Sequence, residues 1–184
     1  MLRARAAALV LLDASPFYRF CEAQLLPDLV VYLKQNARVT PEVAGELRRG
    51  ASGKHVGLRL LERAHWPLAT EPLSPVLRRL FLDYSRAARQ KAEPPDKHAG
   101  EITTVLMAVH LGADVVVVDD LFGKRLARDQ GQPRLSTAQL AAEMVVDGVL
   151  KDEEGFKVFD LATPDEVGRR DFRRACECVP PEEA

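Results

Sequence analysis

Five carboxylates sit where they could act together: Asp13, Glu46, Glu101, Asp119 and Asp120. Asp13 directly follows the run "AALVLL", and Asp119 and Asp120 end the run "DVVVVDD". A short continuous aliphatic run marks a strand covered on both faces. In an open parallel sheet, ligands bind beyond the C-terminal ends of such strands. Two distant segments are therefore expected to bring acids to one sheet edge. Glu101 opens a helix directly after Gly100, and Glu46 lies in the helix after Pro41. Each acid alone has an ordinary explanation. The macrodipole favours a carboxylate in a first helical turn, an acidic pair after a strand is a common turn, and Glu46 reads as a solvated helix residue. Packed together, however, they repel one another, and their pKa values rise unless a cation compensates. Mg²⁺ and Mn²⁺ prefer oxygen ligands. Held there, such an ion can activate water and stabilise charge on a phosphodiester.

The elements that must position these acids are legible from caps and periodicity. Ser15 and Pro16 read as an N-cap and first helical residue, with a helix from Phe17 to about Leu33. Thr40 and Pro41 repeat the pattern before "PEVAGELRRG", which stops near Gly50. "HWPLATEPL" reads as extended. Ser74 and Pro75 open the amphipathic helix "PVLRRLFLDYSRAARQ", and "KAEPPDKHAG" reads as a loop. "EITTVLMAVHLGA" is a helix ending at Gly112, and "FGKRLARDQG" a short helix closed by Gly131. "QPRL" is a further candidate strand, and Ser136 or Thr137 caps "STAQLAAEMVVDGVL". Strands alternating with helices predict an α/β fold, a mostly parallel sheet with helices on both faces. Residues 1–150 form the predicted domain. Residues 151–184 read as a charged C-terminal appendage, partly disordered at "CVPPEEA".

Composition limits the alternatives. The 184 residues suffice for one domain with a core, and 47% hydrophobic content predicts folding rather than disorder. Net charge is −1, yet residues 1–92 carry 15 Lys and Arg against 8 Asp and Glu, a net of +7, and the remainder balances it at −8. Such a basic half suits an anionic partner and equally suits a solvated surface. Cys21, Cys176 and Cys178 make no disulfide framework and lack the histidines of a zinc site. No stretch is long enough to span a bilayer. The apolar run after Arg3 and Arg5 meets Asp13 too soon for a secretory signal. A cytoplasmic protein without a membrane partner is expected.

"VLLDASPF", "TPEVAGEL", "GEITTVLMAVHLGADVVVVDD" and "KRLARDQG", in this order, resemble the PIN-domain nucleases, in particular the VapC-like branch. Asp13 and Ser15 match the first motif. Pro41, Val43, Glu46 and Leu47 match the second, Gly100 and Glu101 the third, Asp119 and Asp120 the fourth. The likeness covers roughly residues 6–150. It implies a three-layer α/β/α sandwich and an acid cluster of Asp13, Glu46, Glu101, Asp119 and Asp120 holding Mg²⁺ or Mn²⁺. It also implies cleavage of RNA, a toxin role with an antitoxin protein as partner, and a homodimer. Lys124 stands where relatives commonly carry Arg, the stretch from Lys54 to Lys97 is long, and the tail after Leu150 has no counterpart in the resemblance.

In the expected assignment Asp13, Glu101 and one of Asp119 and Asp120 hold the metal, with Glu46 completing the cluster directly or through water. Ser15 orients Asp13 or caps the helix. Arg48, Arg49 and Lys54 are candidate phosphate contacts, which give affinity without sequence choice. His98 and His110 read as surface or packing residues. A receiver domain would need a phosphorylatable Asp and a Lys on later strands, and a haloacid-dehalogenase-like phosphatase would need Asp-x-Asp where Asp13-Ala14-Ser15 stands. The remaining rival is a catalytically inactive PIN-like module that binds RNA or protein.

Overall fold

The computed structural model describes Ala4 and residues 7–88, 98–163 and 169–179. Five short strands make one all-parallel sheet: β1 (Val10–Leu12), β2 (Ala37–Val39), β3 (Leu68–Ala69), β4 (Val115–Val117) and β5 (Arg134–Leu135). Their spatial order is β3-β2-β1-β4-β5. Val10 pairs with Ala37 on one side and with Val115 on the other. The chain steps outward from β1 to β3, returns beside β1 as β4, and steps outward the other way. Between β1 and β4 the order reverses, and a crevice opens beyond the strand ends at such a point.

Among the described residues the helices are α1 (Ala14–Ala23), α2 (Leu26–Leu33), α3 (Pro41–Ser52), α4 (Arg59–Ala64), α5 (Pro75–Ala88), α6 (Ala99–Leu111), α7 (Leu121–Asp129), α8 (Thr137–Val146), α9 (Asp152–Ala162) and α10 (Arg169–Glu177). Strand side chains alternate between the faces of the sheet. Val10, Leu12, Val115 and Val117 join one core with Phe17 and Phe20 of α1, Leu29 of α2, and Leu140 and Met144 of α8. Leu11, Val116 and Val118 join a second core with Ile102 and Val105 of α6, Leu126 of α7 and the partly buried Phe81 of α5. The result is the expected three-layer α/β/α sandwich. No helix among the described residues is long and apolar enough to cross a membrane.

Several local expectations need correction. The single helix expected from Phe17 to Leu33 is two. Gln24 turns left-handed at φ 66°, its amide donates to the Cys21 carbonyl, and Pro27 sits in the first turn of α2. Asp13, not Ser15, holds the N-cap position of α1. Thr40 caps α3 as expected, accepting from the Val43 amide, while Ser136 caps α8 in a reciprocal box with Gln139. The α6 helix starts at Ala99, two residues before Glu101, behind a left-handed His98.

Asp114 fastens the two central strands at their N-terminal ends. Its Oδ2 accepts from the Ala8 and Leu9 amides at 2.7 and 3.0 Å. Beyond Leu150 the chain forms α9 and α10 on the outer side of α8. An ideal Cβ on Gly155 would lie 2.1 Å from Val145 Cγ2, so α9 can approach α8 this closely only with a glycine there. Val158 of α9 belongs to the first core, and Phe172 of α10 is fully buried against Phe156 and Phe159, ring centroids 5.8 and 5.3 Å apart. Residues 180–184 of the stretch expected to be disordered, and residues 91–97 of the expected loop, lie outside the described residues.

Deleting a buried aromatic loses both transfer energy and packing. Phe172→Ala is expected to lower unfolding stability by about 3 kcal/mol, read from urea denaturation. An unchanged midpoint would show that α10 contributes nothing to the fold.

Candidate metal centre

All five acids expected from sequence stand at the C-terminal edge of the sheet, around the reversal point between β1 and β4. Asp13 follows β1, and its amide continues the ladder by donating to the Val117 carbonyl at 3.1 Å. Its side chain is almost completely buried, 4% exposed. Glu46 comes from α3 and Glu101 from the first turn of α6. These two helices are tied together: Thr40 Oγ1, which caps α3, lies 3.0 Å from Thr103 Oγ1, which itself donates to the Ala99 carbonyl at 2.8 Å. Both threonines are buried, so the hydroxyl pair fixes Glu46 relative to Glu101 from below.

The adjacent acids of the β4 end have separate environments. Asp119 is held by α8: its Oδ1 accepts from the Thr137 amide at 2.8 Å and its Oδ2 from the Thr137 hydroxyl at 2.7 Å. Asp120 caps α7, its Oδ1 accepting from the Phe122 and Gly123 amides at 2.7 and 3.3 Å. The field of Asp119 acts on Asp13, and that of Asp120 acts on Glu101. The pair thus splits across the cluster, one acid toward each of the other two segments.

Two glycines make room. A Cβ on Gly100 would lie 3.0 Å from Asp13 Oδ1 and 3.7 Å from Glu46 Oε2, inside the space these carboxylates border. A Cβ on Gly123 would press on Glu101 Cβ at 3.2 Å. The Gly-Glu pair read from the sequence is therefore a cradle wall followed by a ligand candidate.

Burial and mutual repulsion govern protonation. Desolvation, then the negative charges of Glu101, Glu46 and Asp119, push the Asp13 carboxyl up to about 8, against a lowering by the Ala14 amide. Burial also raises Glu101, helped by Asp120 and Glu46 and opposed by its own amide and His98. Burial raises Glu46, partly offset by Arg49 and Tyr18. The Tyr18 hydroxyl donates to the Glu46 carbonyl at 3.2 Å, and burial followed by the charge of Glu46 raises it to about 12. Among the described residues, neither Asp13 nor Glu46 has an ion-pair partner within 4 Å. The donor set fits a hard divalent cation: the buried Asp13 and the half-buried Glu46, Glu101, Asp119 and Asp120 outnumber the local positive charges, around a space that only glycine leaves free.

His98 takes the packing role read from sequence and also approaches the acids. Its ring packs on Phe122, centroids 5.3 Å apart, and Nδ1 lies 3.6 Å from Asp120 Oδ1 and 3.9 Å from Glu101 Oε1. One ligand atom each from His98, Glu101 and Asp120 fall within 4.8 Å of one another. The available signal was its position two residues before Gly100. Thr137 was missed as the holder of Asp119, because a buried hydroxyl at a helix start looks like an ordinary cap. Ser15 donates to Asp13 Oδ2 at 3.4 Å, the orienting role. Of the expected phosphate contacts, Arg48 lines a separate apolar cavity with Leu58, Leu61 and Trp66, while Arg49 acts on Glu46. Lys54 is exposed beyond the end of α3.

No protein-family model, no curated protein and no solved structure matches the chain.

An acid with a raised folded-state pKa binds its proton more tightly when folded. Its share of stability is therefore intact at low pH and is lost as pH rises from the unfolded value near 4 through about 8. Metal-free Asp13→Asn is expected to be more stable than the parent protein at pH 8, by on the order of 3 kcal/mol. The gap should close toward pH 4. Thermal melts in EDTA across that range check it. A variant less stable than the parent at pH 8 would make Asp13 a structural group.

Proposed function

We propose that this protein is a metal-dependent endoribonuclease that hydrolyses RNA phosphodiester bonds at the acid cluster. The observation that carries the reading is the buried, unpaired Asp13 facing Glu101, Glu46 and Asp119 across the space beside Gly100. Repulsion of this kind is retained when a cation offsets it. Glu101, Asp120 and His98, whose ligand atoms lie within 4.8 Å of one another, would hold Mg²⁺ or Mn²⁺, with Asp13 and Glu46 completing the cluster directly or through water. The ion would supply a nucleophilic hydroxide at neutral pH and neutralise charge on the phosphate. The protein's own groups prepare the site: Thr137 fixes Asp119, α7 amides fix Asp120, Ser15 orients Asp13, and Tyr18 braces the α3 backbone at Glu46. RNA as substrate rests on the resemblance of the four ordered motifs to the PIN-domain nucleases.

The same resemblance proposes a toxin role, an antitoxin partner and a homodimer. An inhibitor suited to this pocket would insert a basic side chain among the carboxylates and replace the metal as the compensating charge. The rival is a binding module without turnover. It is favoured by Asp119 alone, both of whose oxygens are already engaged by Thr137.

Purified protein is expected to cleave single-stranded RNA with Mn²⁺ or Mg²⁺ and to stop on addition of EDTA. Glu101→Gln should reduce the rate roughly 100-fold, as loss of a ligand or its support does at metal sites. Cleavage indifferent to EDTA and to Glu101→Gln would exclude this site as its source. Metal binding without cleavage of any RNA would favour the binding module. If expression is harmless in cells with no neighbour-encoded inhibitor, the toxin role falls and the nuclease role stands.

A further inference from the structure

We propose that the cleft between α7 and the β5–α8 turn is a phosphate subsite, in which Lys124 and Arg134 hold a phosphate flanking the scissile one on the same nucleic-acid strand. This rests on the nuclease reading of the acid cluster. The cleft, about 370 Å³, is lined by Lys124, Arg134, Leu135, Ser136 and Gln139. Both cations are half-buried. Among the described residues neither side chain makes an ion pair or hydrogen bond. Two like charges therefore share a recess with no acid to neutralise them. Two unpaired cations lining one recess suit an incoming anion, which both can hydrogen-bond.

The position of the cleft links it to the acids. Lys124 is one helical turn from Asp120, whose carbonyl accepts its amide at 2.9 Å. Ser136 directly precedes Thr137, the residue that grips Asp119. Leu135, in the floor of the cleft, accepts from the Val118 amide at 3.0 Å. The recess thus begins beside the residues that flank and hold Asp119 and lies one helical turn from Asp120. The start of α8 cannot serve the anion through the amides of Thr137 and Gln139, which bond to Asp119 and to the Ser136 hydroxyl. The two basic side chains carry the contact.

The chemistry suits alternating charges along a nucleic-acid strand. With one phosphate held at the acid cluster, a flanking phosphate of the same strand would meet the cationic recess. Arg134 can bond a phosphate through two N–H groups, and Lys124 supplies a point charge. Such contacts set register and affinity without reading bases. By contrast, Arg19, on the opposite side of the acids, is already paired with Glu22 at 3.0 Å.

The test compares the full chain with Lys124→Gln, Arg134→Gln and the double variant, using two unrelated single-stranded RNA oligonucleotides. Steady-state cleavage is measured in Mn²⁺, RNA binding by fluorescence anisotropy on a Glu101→Gln background, and Mn²⁺ affinity separately. Each substitution is expected to raise KM and the RNA Kd about tenfold for both sequences, with kcat within about threefold. The slope of log affinity against log salt should fall by about one per cation removed. Mn²⁺ affinity should not change, and Lys124→Arg should restore the parent KM. Cleavage with KM, Kd and salt slope unchanged in the double variant would overturn the subsite and leave the nuclease reading intact. A parent protein that binds Mn²⁺ but neither binds nor cleaves RNA would overturn both.

Discussion

The structure is organised around a repulsion. Asp13, Glu46, Glu101, Asp119 and Asp120 come from four segments, and the negative charge they gather at one sheet edge is opposed by little of the chain's own positive charge. Burial of Asp13 sharpens the conflict, because low-dielectric surroundings weaken the screening that water would supply. A fold that keeps such a group must hold it firmly. The Asp13 amide is fixed in the β1–β4 ladder, Asp119 is clasped by Thr137, Asp120 is locked onto the first amides of α7, and the Thr40–Thr103 hydroxyl pair joins the helices that carry Glu46 and Glu101. Each anchor is a hydrogen bond to a rigid element, so the segments that carry the acids are held together at one edge.

The sheet makes this arrangement available. Its two central strands are short and apolar on both faces, which leaves their ends as the first place where polar groups can stand. The reversal of strand order puts the end of β1 beside the end of β4 although the segments lie far apart in the chain. Helices on both faces then close the crevice, α3 and α8 over one face and α6 and α7 over the other. The positive recess at Lys124 and Arg134 lies between α7 and the β5–α8 turn, so the edge presents a negative pocket with a cationic neighbour.

Much of this was legible in the residues, and the misses have physical reasons. The valine-rich and leucine-rich runs marked β1 and β4, and the acids behind them marked the edge, because a continuous aliphatic run has few uses other than a strand covered on both faces. Thr40-Pro41 and Ser136 marked helix starts, since cap chemistry is local. The break after Ala23 was missed because α1 and α2 share an apolar pattern and Gln24 does not advertise a left-handed turn. The closeness of His98 to the acids was not legible, because a histidine at a helix entry meets whatever Phe122 and Asp120 bring to it, which only tertiary structure decides. The same holds for Arg134: in sequence it is one basic residue among many, and its lack of a partner is visible only once β5 and α7 lie side by side.

The pairing of β1 with β4 has a consequence for the order in which a growing chain becomes whole. Synthesis delivers Asp13 and Glu46 early, but β1 then has a partner on only one side. Its other edge waits for β4, Asp119 waits for Thr137, and the outer face of α8 waits for the Phe172 that covers it. The negative pocket therefore comes together only once the chain through Thr137 has been made and β4 has joined β1.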